Sequence, residues 1–228
     1  MPSINSIKEA YYINLEERED RRQHIEGEIG RSIWLKGVSK RWPAINGRYL
    51  EPSAYLDILS QQTVLDIKSG TIEKWGTSMT YGGLGCLLTY FNLFEKIAAG
   101  NSPVLTLEDD ALFAPNFDTN LEQVIKELPD DFDFCYLGYG DTQFTVTDYS
   151  DNLFIPGHHF VCWYGMIFSP KGARKLLDTL PPVSRQLDGE VSRKLHLFNA
   201  YAVKNKLVLY NDFFESNIQG YSNCVALG

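Results

Sequence analysis

The chain has 228 residues, 44% of them hydrophobic, which is enough to bury the core of an α/β domain and too many for a disordered chain. Its net charge of -8 provides no basic face, so we expect no nucleic-acid partner. No run of about 18 apolar residues exists, so we expect no membrane span, and the start of the chain lacks the apolar stretch of a signal peptide.

Predicted strands and helices alternate along the chain. Apolar segments predict strands at residues 10–15, within 34–45, and at 103–107, 133–137, 160–168 and 206–210. Helices are predicted at residues 19–29, where the polar side includes Arg21, and at 53–59 (capped by Ser53), 86–98, 117–128, 170–177 and 189–201. Residues 60–81 predict an irregular functional loop. The alternation favours an α/β fold with a mostly parallel central sheet flanked by helices.

No repeat or linker divides the chain, so we expect a single domain over residues 1–228. The four cysteines, Cys86, Cys135, Cys162 and Cys224, lack CxxC spacing, and three of them lie in apolar segments. This pattern is typical of reduced core residues. Together with the absence of a signal peptide, it predicts a cytoplasmic protein.

Three consecutive acids follow the apolar strand predicted at residues 103–107. Carboxylates at the end of a buried strand repel one another and resist desolvation, and a cation would reverse that penalty. Their oxygens are ligands that Mg²⁺, Mn²⁺ and Ca²⁺ prefer, and ligands bind at the carboxyl ends of strands in α/β proteins. Glu108, Asp109 and Asp110 therefore predict a divalent-metal site for a phosphorylated substrate. A solvated acidic turn is the alternative, with about equal weight at this point.

Two other motifs occur where an anion would be expected. Gly82, Gly83 and Gly85 could offer backbone N–H groups to a phosphate at a helix start, but they form neither a Walker A loop nor a dinucleotide fingerprint, so close packing is favoured. Arg18 and Arg21 follow the first strand, and their guanidinium groups suit a phosphate. A solvated helix face is the ordinary alternative for these arginines.

Six short segments carry a resemblance to a known family. They are residues 12–22, 44–47, 82–90, 107–110, 164–177 and 187–188. In this order they resemble glycosyltransferase family 25, which includes bacterial lipooligosaccharide galactosyltransferases and procollagen galactosyltransferases. Two positions depart from the family pattern, because Gly83 replaces a glutamate and Tyr90 replaces a histidine.

The resemblance implies a GT-A fold, in which a nucleotide-binding half merges with an acceptor half. It implies transfer of a hexose, most often galactose, from a UDP-sugar to a glycan, lipooligosaccharide or hydroxylysine-type acceptor with inversion. Mn²⁺ or Mg²⁺ would be held by Asp110 and Glu108, and Asp188 would be the general base. Without the resemblance, a helix N-cap is the ordinary interpretation of Asp188. The remaining donor contacts are implied for Ile13, Asn14, Arg18, Arg21, Ala44 and Asp109.

Two other functions compete with this one. A sugar nucleotidyltransferase would need a glycine-rich basic loop near the N-terminus, but residues 14–22 contain no glycine. A non-catalytic pseudo-glycosyltransferase, which binds a partner or glycan, is favoured by the departures at Gly83 and Tyr90. The retained acidic triplet (Glu108, Asp109 and Asp110) argues against it.

Overall fold

A computed structural model describes residues 3–70, 78–140 and 144–218. The strands are β1 (Glu9–Asn14), β2 (Ser39–Pro43), β3 (Val104–Glu108), β4 (Ala111–Phe113), β5 (Phe134–Gly138), β6 (Val146–Asp148), β7 (Leu153–Pro156), β8 (Gly165–Phe168), β9 (Ala200–Val203) and β10 (Val208–Tyr210). The α-helices are α1 (Glu19–Ile29), α2 (Ile33–Val38), α3 (Gln61–Ser69), α4 (Tyr81–Ala98), α5 (Phe117–Glu127), α6 (Pro170–Thr179) and α7 (Leu187–Lys194).

Eight of these strands form one sheet in the order β2-β1-β3-β8-β5-β9-β7-β6, and β4 pairs with β10 separately. β1 is parallel to β2 and β3, and β5 is parallel to β9. β8 runs antiparallel between β3 and β5, and β7 runs antiparallel between β9 and β6. The α/β sheet flanked by helices is confirmed. The sheet is more mixed than predicted because β8 and β7 oppose the direction of the other strands.

The parallel strands β1, β2 and β3 end at the same edge of this sheet. The register places Ile13 beside Glu108, and the Ala44 N–H donates to the Asn14 carbonyl at 3.0 Å. β8 begins at this edge because it is antiparallel, and the Glu108 N–H donates to the Tyr164 carbonyl at 3.2 Å. Residues that are distant in the sequence therefore meet where α/β proteins bind ligands.

Aromatic rings fill the core behind this edge. Tyr90 and Phe94 of α4 lie 6.5 Å and 5.0 Å from Phe168 of β8, measured between ring centroids. The Trp163 ring lies 5.2 Å from the Tyr90 ring in an edge-to-face arrangement. Burying rings of this size is worth about 1.5–3 kcal/mol each. The packing fixes α4 against β8 and so fixes the side chains that α4 directs to the edge.

Two predicted elements in the second half of the chain are wrong in extent. The long strand over residues 160–168 is reduced to β8, because Cys162 has a φ of 66° that a strand cannot accommodate. The apolar residues before β8 are buried without being a strand. The helix over residues 189–201 ends at Lys194, and its last predicted residues belong to β9. The strands β4, β6 and β7 were not predicted.

The first half also needs three corrections. Ser53 does not cap its helix, because the Glu51 side chain caps the 3₁₀ helix Pro52–Tyr55 instead. The predicted loop over residues 60–81 contains α3, whose N-terminus is capped by the Ser60 hydroxyl, and residues 71–77 lie outside the described residues. Helix α2 was missed within the stretch that was expected to hold only a strand.

The glycine cluster lies within the first turns of α4 rather than before it. Thr80 caps the helix by accepting the Gly83 N–H at 2.9 Å. A Cβ atom on Gly85 would collide with the Ile45 carbonyl. Close packing therefore explains Gly85, as favoured from the sequence.

Two composition-based expectations can be checked against the described residues. Cys86 and Cys135 form no disulfide bond, and burial raises the pKa of both thiols. Within the described ranges, no helix has the length and apolarity needed to cross a membrane.

Candidate active site

A cleft opens at the edge where β1, β2 and β3 end. Its walls come from these strand ends, the first turn of α4, the residues before β8, the start of α7 and the segment after β10. The cleft is lined by Ile13, Arg21, Ala44, Glu108, Asp109, Asp110 and Asp188 from the predicted site. The fold thus gathers the acidic triplet and Asp188, which are about 80 residues apart in the chain.

Asn14 and Arg18, also predicted as site residues, do not line the cleft and instead hold groups that do. Asn14 is 1% exposed, and its Nδ2 donates to Asp109 Oδ2 at 2.7 Å. The Arg18 guanidinium donates to both carboxylate oxygens of Asp20, at 2.9 and 2.8 Å. Its Nη1 donates to Asn217 Oδ1.

The three acids of the triplet have different partners. Glu108 Oε1 accepts a hydrogen bond from the Tyr90 hydroxyl at 2.6 Å. Asp109 lies 2.6 Å from Arg21 Nε, and Asp110 accepts a hydrogen bond from Arg21 Nη2. Arg21 is 8% exposed, so its predicted place on the polar side of α1 is wrong. The Arg21 side chain lies on the inward side of α1, where the Asp109 and Asp110 carboxylates attract it.

Burial of these acids raises their pKa values. The pKa of Glu108 rises to about 8, mainly by burial and against the lowering effect of the Tyr90 hydrogen bond. Burial raises the pKa of Asp109 to about 6, although the charge of Arg21 lowers it. The pKa of Asp110 is also raised by burial and lowered by Arg21. One guanidinium therefore leaves negative charge in the cleft that a further cation would neutralise.

The acidic triplet supplies suitable ligands for a divalent metal without forming a complete cage. Among the described residues, no cluster of three or more His, Cys, Asp or Glu side chains is arranged to hold a metal ion. Mg²⁺ is ordinarily bound by one or two carboxylates together with substrate phosphates. Glu108 and Asp110 provide such oxygens, and in this structure the partner of Asp110 is the Arg21 guanidinium. The donor set fits a cation that binds together with a diphosphate.

Asp188 lies across the cleft in the first turn of α7, but it is not the N-cap, which is Gln186. Its Oδ2 accepts the Cys162 N–H at 2.9 Å and its Oδ1 accepts the Gly189 N–H at 2.7 Å. Burial raises the pKa of Asp188 despite these bonds. The two amides orient the carboxylate, and its burial favours proton uptake.

One wall of the cleft is formed by the segment after β10 and was not predicted from the sequence. Asn211, Phe214, Ser216, Asn217 and Ile218 of this segment line the cleft. The Asn211 N–H donates to the Asp110 carbonyl at 2.8 Å, which ties the segment to the acidic triplet. A pair of phenylalanines, residues 213 and 214, in a polar stretch was the available signal.

Comparison with known proteins establishes the family. The sequence profile of glycosyltransferase family 25 (LPS biosynthesis protein) matches residues 7–156, which include β1, β2, the first turn of α4 and the acidic triplet. The chain belongs to glycosyltransferase family 25. The resemblance inferred from the six motifs is therefore confirmed.

The names of the relatives in glycosyltransferase family 25 describe both inactive proteins and enzymes. The "Probable inactive glycosyltransferase 25 family member 3" of Bos taurus is 29% identical, with 79% of this chain and 30% of the relative covered. The "Glycosyltransferase 25 family member" of Aedes aegypti is 30% identical, with 77% and 28% covered. "Procollagen galactosyltransferase 1-B" of Xenopus laevis is 27% identical, with 79% and 30% covered. The chain thus spans about 30% of the length of these relatives.

Proposed function

We propose that this chain is a GT-A glycosyltransferase that transfers a hexose, galactose in the first instance, from a UDP-sugar to an acceptor hydroxyl with inversion. The observation that carries the proposal is that the acidic triplet at the end of β3 and Asp188 at the start of α7 line the same cleft. Galactose is suggested by the relative named procollagen galactosyltransferase. A lipooligosaccharide, another glycan or a hydroxylysine-type residue would be the acceptor.

The donor would bind at the edge formed by β1, β2 and β3. Ile13 and Ala44 line this part of the cleft and suit the nucleoside, while the Arg21 guanidinium suits the diphosphate. When bound at Glu108 and Asp110, Mn²⁺ or Mg²⁺ would supply Lewis-acid stabilisation of the charge on the departing UDP. Of the residues themselves, Arg21 would contact the donor diphosphate, and Glu108 and Asp110 would hold the cation.

Asp188 would take the proton from the acceptor hydroxyl. The acceptor oxygen attacks the anomeric carbon from the face opposite UDP, so the new bond forms as the bond to UDP breaks and the configuration inverts. The carboxylate is oriented for this role by the N–H groups of Cys162 and Gly189. General-base catalysis of this kind contributes roughly 10²–10⁴ in rate.

A non-catalytic role is the second candidate, and the names of the relatives favour it. Members from Bos taurus, Homo sapiens and Rattus norvegicus are described as inactive or probably inactive. Gly83 and Tyr90, which replace two polar residues of the family pattern, also favour this alternative. A non-catalytic relative would bind a partner or glycan without turnover.

UDP release from a panel of UDP-sugars, measured with and without Mn²⁺, tests the proposal. We expect metal-dependent release from one donor. Asp110→Ala should reduce it by roughly 10²–10³-fold, the loss typical of removing a group that stabilises developing charge. Asp188→Asn should reduce it by roughly 10²–10⁴-fold while UDP binding persists. Asp148→Ala is the matched control, because the Asp148 side chain is 88% exposed and pairs only at the surface with Lys204.

A thermal shift with UDP and Mn²⁺ separates the two candidate functions. Metal-dependent UDP release that Asp110→Ala abolishes supports catalysis and identifies the sugar. The absence of release from every donor, together with the absence of any thermal shift, would contradict the proposal and favour the non-catalytic role. Release that Asp110→Ala leaves unchanged would refute the acidic triplet as the metal site.

A further inference from the structure

The segment after β10, residues 211–218, runs across the cleft and is attached on both sides. At its start the Asn211 N–H donates to the Asp110 carbonyl at 2.8 Å. At its end the Thr80 hydroxyl, which also caps α4, donates to the Ile218 carbonyl at 2.7 Å. The segment therefore joins the acidic triplet to the first turn of α4. It lies beyond residues 7–156, which the family profile matches.

Phe214 contacts two of the arginines that follow β1, Arg18 and Arg21. Its ring centroid lies 6.0 Å from Arg18 Cζ and 5.7 Å from Arg21 Cζ. The His24 ring meets the same phenyl ring edge-to-face at 5.2 Å. A phenyl face attracts a guanidinium electrostatically, and it does so more strongly where water is excluded. One side chain of the segment thus orients two guanidinium groups.

Asn217 holds the outer arginine from the other side. Its Oδ1 accepts from Arg18 Nη1, and the Glu215 carbonyl lies 3.4 Å from the same nitrogen. Asp20 engages the remaining edge of the Arg18 guanidinium through two hydrogen bonds. Arg18 is therefore fixed by its own helix and by the segment together.

The position of Arg21 matters because cations are scarce in the cleft. Among the described residues that line it, Arg21 and Arg48 carry the positive charges, against four carboxylates. Arg21 is already drawn toward Asp109 and Asp110. If the acids were its sole partners, the Arg21 guanidinium would be drawn onto them. Contact with the Phe214 ring holds it at the wall of the cleft. Groups held in place before binding lose less entropy when the ligand arrives.

We propose that Phe214 is a positioning residue that holds the guanidinium group of Arg21 at the cleft wall to receive the diphosphate of a nucleoside diphosphate, while Asn217 and the same ring hold Arg18. The inference rests on the proposed function, and it deepens that function by assigning one wall of the donor site to the segment after β10. Phe214 acts through the arginines and need not touch the donor.

Calorimetric titration of UDP in the presence of Mn²⁺ tests this role. Phe214→Ala should weaken UDP binding by roughly 5–10-fold, as expected if the Arg21 side chain must then be immobilised on binding at a cost of about 1 kcal/mol. Phe214→Tyr should bind UDP like the wild type, because it keeps the ring. Phe213→Ala is the matched control: Phe213 is the adjacent phenylalanine, is 85% exposed and does not line the cleft. It should leave UDP binding unchanged.

The binding of uridine, measured by ligand-observed NMR, distinguishes an effect on the diphosphate from a general structural effect. A general structural effect would weaken the binding of UDP and uridine alike. Uridine lacks the diphosphate, so Phe214→Ala should leave its affinity unchanged. Equal losses for UDP and uridine would overturn the inference, as would equal UDP affinities of Phe214→Ala and Phe213→Ala. Tighter UDP binding by Phe214→Ala would mean that the segment competes with the donor, which also contradicts it. If wild-type protein does not bind UDP, the proposed function itself fails, whereas the other outcomes leave that function standing.

Discussion

Buried carboxylates lie at opposite edges of the large sheet, Asp133 at one and the acidic triplet at the other, and their charges are neutralised to different degrees. Asp133 precedes β5 at the amino edge and is 0% exposed. Lys175 Nζ lies 2.8 Å from its Oδ2, Lys171 Nζ lies 3.7 Å from its Oδ1, and the Asn199 N–H donates to it at 2.8 Å. One carboxylate at this edge thus has two ammonium groups and a backbone donor.

The acidic triplet at the carboxyl edge is neutralised far less. Asp109 and Asp110 share the single guanidinium of Arg21, Asp109 also accepts from Asn14, and Glu108 accepts from the neutral Tyr90 hydroxyl. Burial without matching charge leaves the pKa values of all three acids raised. The comparison separates a carboxylate that stabilises the fold from carboxylates that leave charge for a ligand to neutralise.

Removing Asp133 should have the largest effect on stability. Asp133→Ala leaves Lys175 and the Asn199 N–H without their partner, and breaking a buried ion pair costs about 3 kcal/mol at the low end of the known range. The low end applies because Lys175 is 35% exposed and keeps contact with water. For a chain of this size the Tm should fall by roughly 10 °C in calorimetry.

Asp110→Asn should not destabilise the protein, in contrast to Asp133→Ala, because it removes a negative charge from a cluster with excess negative charge. Its Tm without ligand should be equal to or above that of the wild type. A fall as large as that of Asp133→Ala would contradict the comparison. Asp148→Ala, which breaks the surface pair with Lys204, should change stability by less than about 1 kcal/mol.

The pH dependence of stability sharpens the same comparison. The pKa of Glu108 is about 8 in the folded protein, against about 4.3 in an unfolded chain. A carboxyl group whose pKa is raised by folding contributes fully below the unfolded value, and this contribution is lost as the pH rises through the folded value. The Tm of the metal-free protein should therefore fall by roughly 10 °C between pH 5 and pH 8, because each pKa unit is worth about 1.4 kcal/mol and each kcal/mol shifts the Tm by about 2–4 °C.

Glu108→Gln tests the assignment of this slope to the carboxyl edge. Because the amide does not ionise, the variant should lose part of the pH dependence, and Asp109, with a pKa of about 6, should retain another part. Asp133→Ala should lower the Tm at both pH 5 and pH 8. An unchanged slope in Glu108→Gln would show that the triplet does not carry the uncompensated charge.

Much of the carboxyl edge could be predicted from the sequence because its signals are local. The strands β1 and β3 and the helix α1 appear as continuous apolar or charged stretches, and the helix bounds were predicted to the residue. The acids at the end of β3 stand in one uninterrupted run. Parallel strands bring such ends together, so the acids after β3 could be placed at the carboxyl edge, while Ile13 and Ala44 were implied as site residues by the family resemblance.

The rest depends on contacts between distant residues, which no local pattern reports. Residues before β8 are as apolar as a strand, yet the positive φ of Cys162 directs their side chains into the core and the cleft wall. Arg21 looks like a solvated residue of a charged helix until Asp109 and Asp110 are known to face it. Phe214 reaches both arginines only because the chain after β10 returns across the cleft.

Tyr90→Phe should have a smaller effect than Asp133→Ala and tests how the cleft tolerates the charge of Glu108. The change removes a hydrogen bond of 2.6 Å and keeps the ring that packs on Trp163, so about 1 kcal/mol should be lost at pH 5, or roughly 3 °C in Tm. Since this bond lowers the pKa of Glu108, its loss should raise that pKa further.

The decline in Tm with pH should therefore extend to more alkaline pH in Tyr90→Phe than in the wild type, as measured on metal-free protein from pH 5 to pH 9. In the double variant with Glu108→Gln this displacement should disappear, because no carboxyl group remains to respond. A displacement toward acid, or one that survives in the double variant, would mean that Tyr90 stabilises the core without tuning Glu108. The Tyr90 hydroxyl would then stabilise the fold, as Asp133 does, without affecting the ionisation of the acids in the cleft.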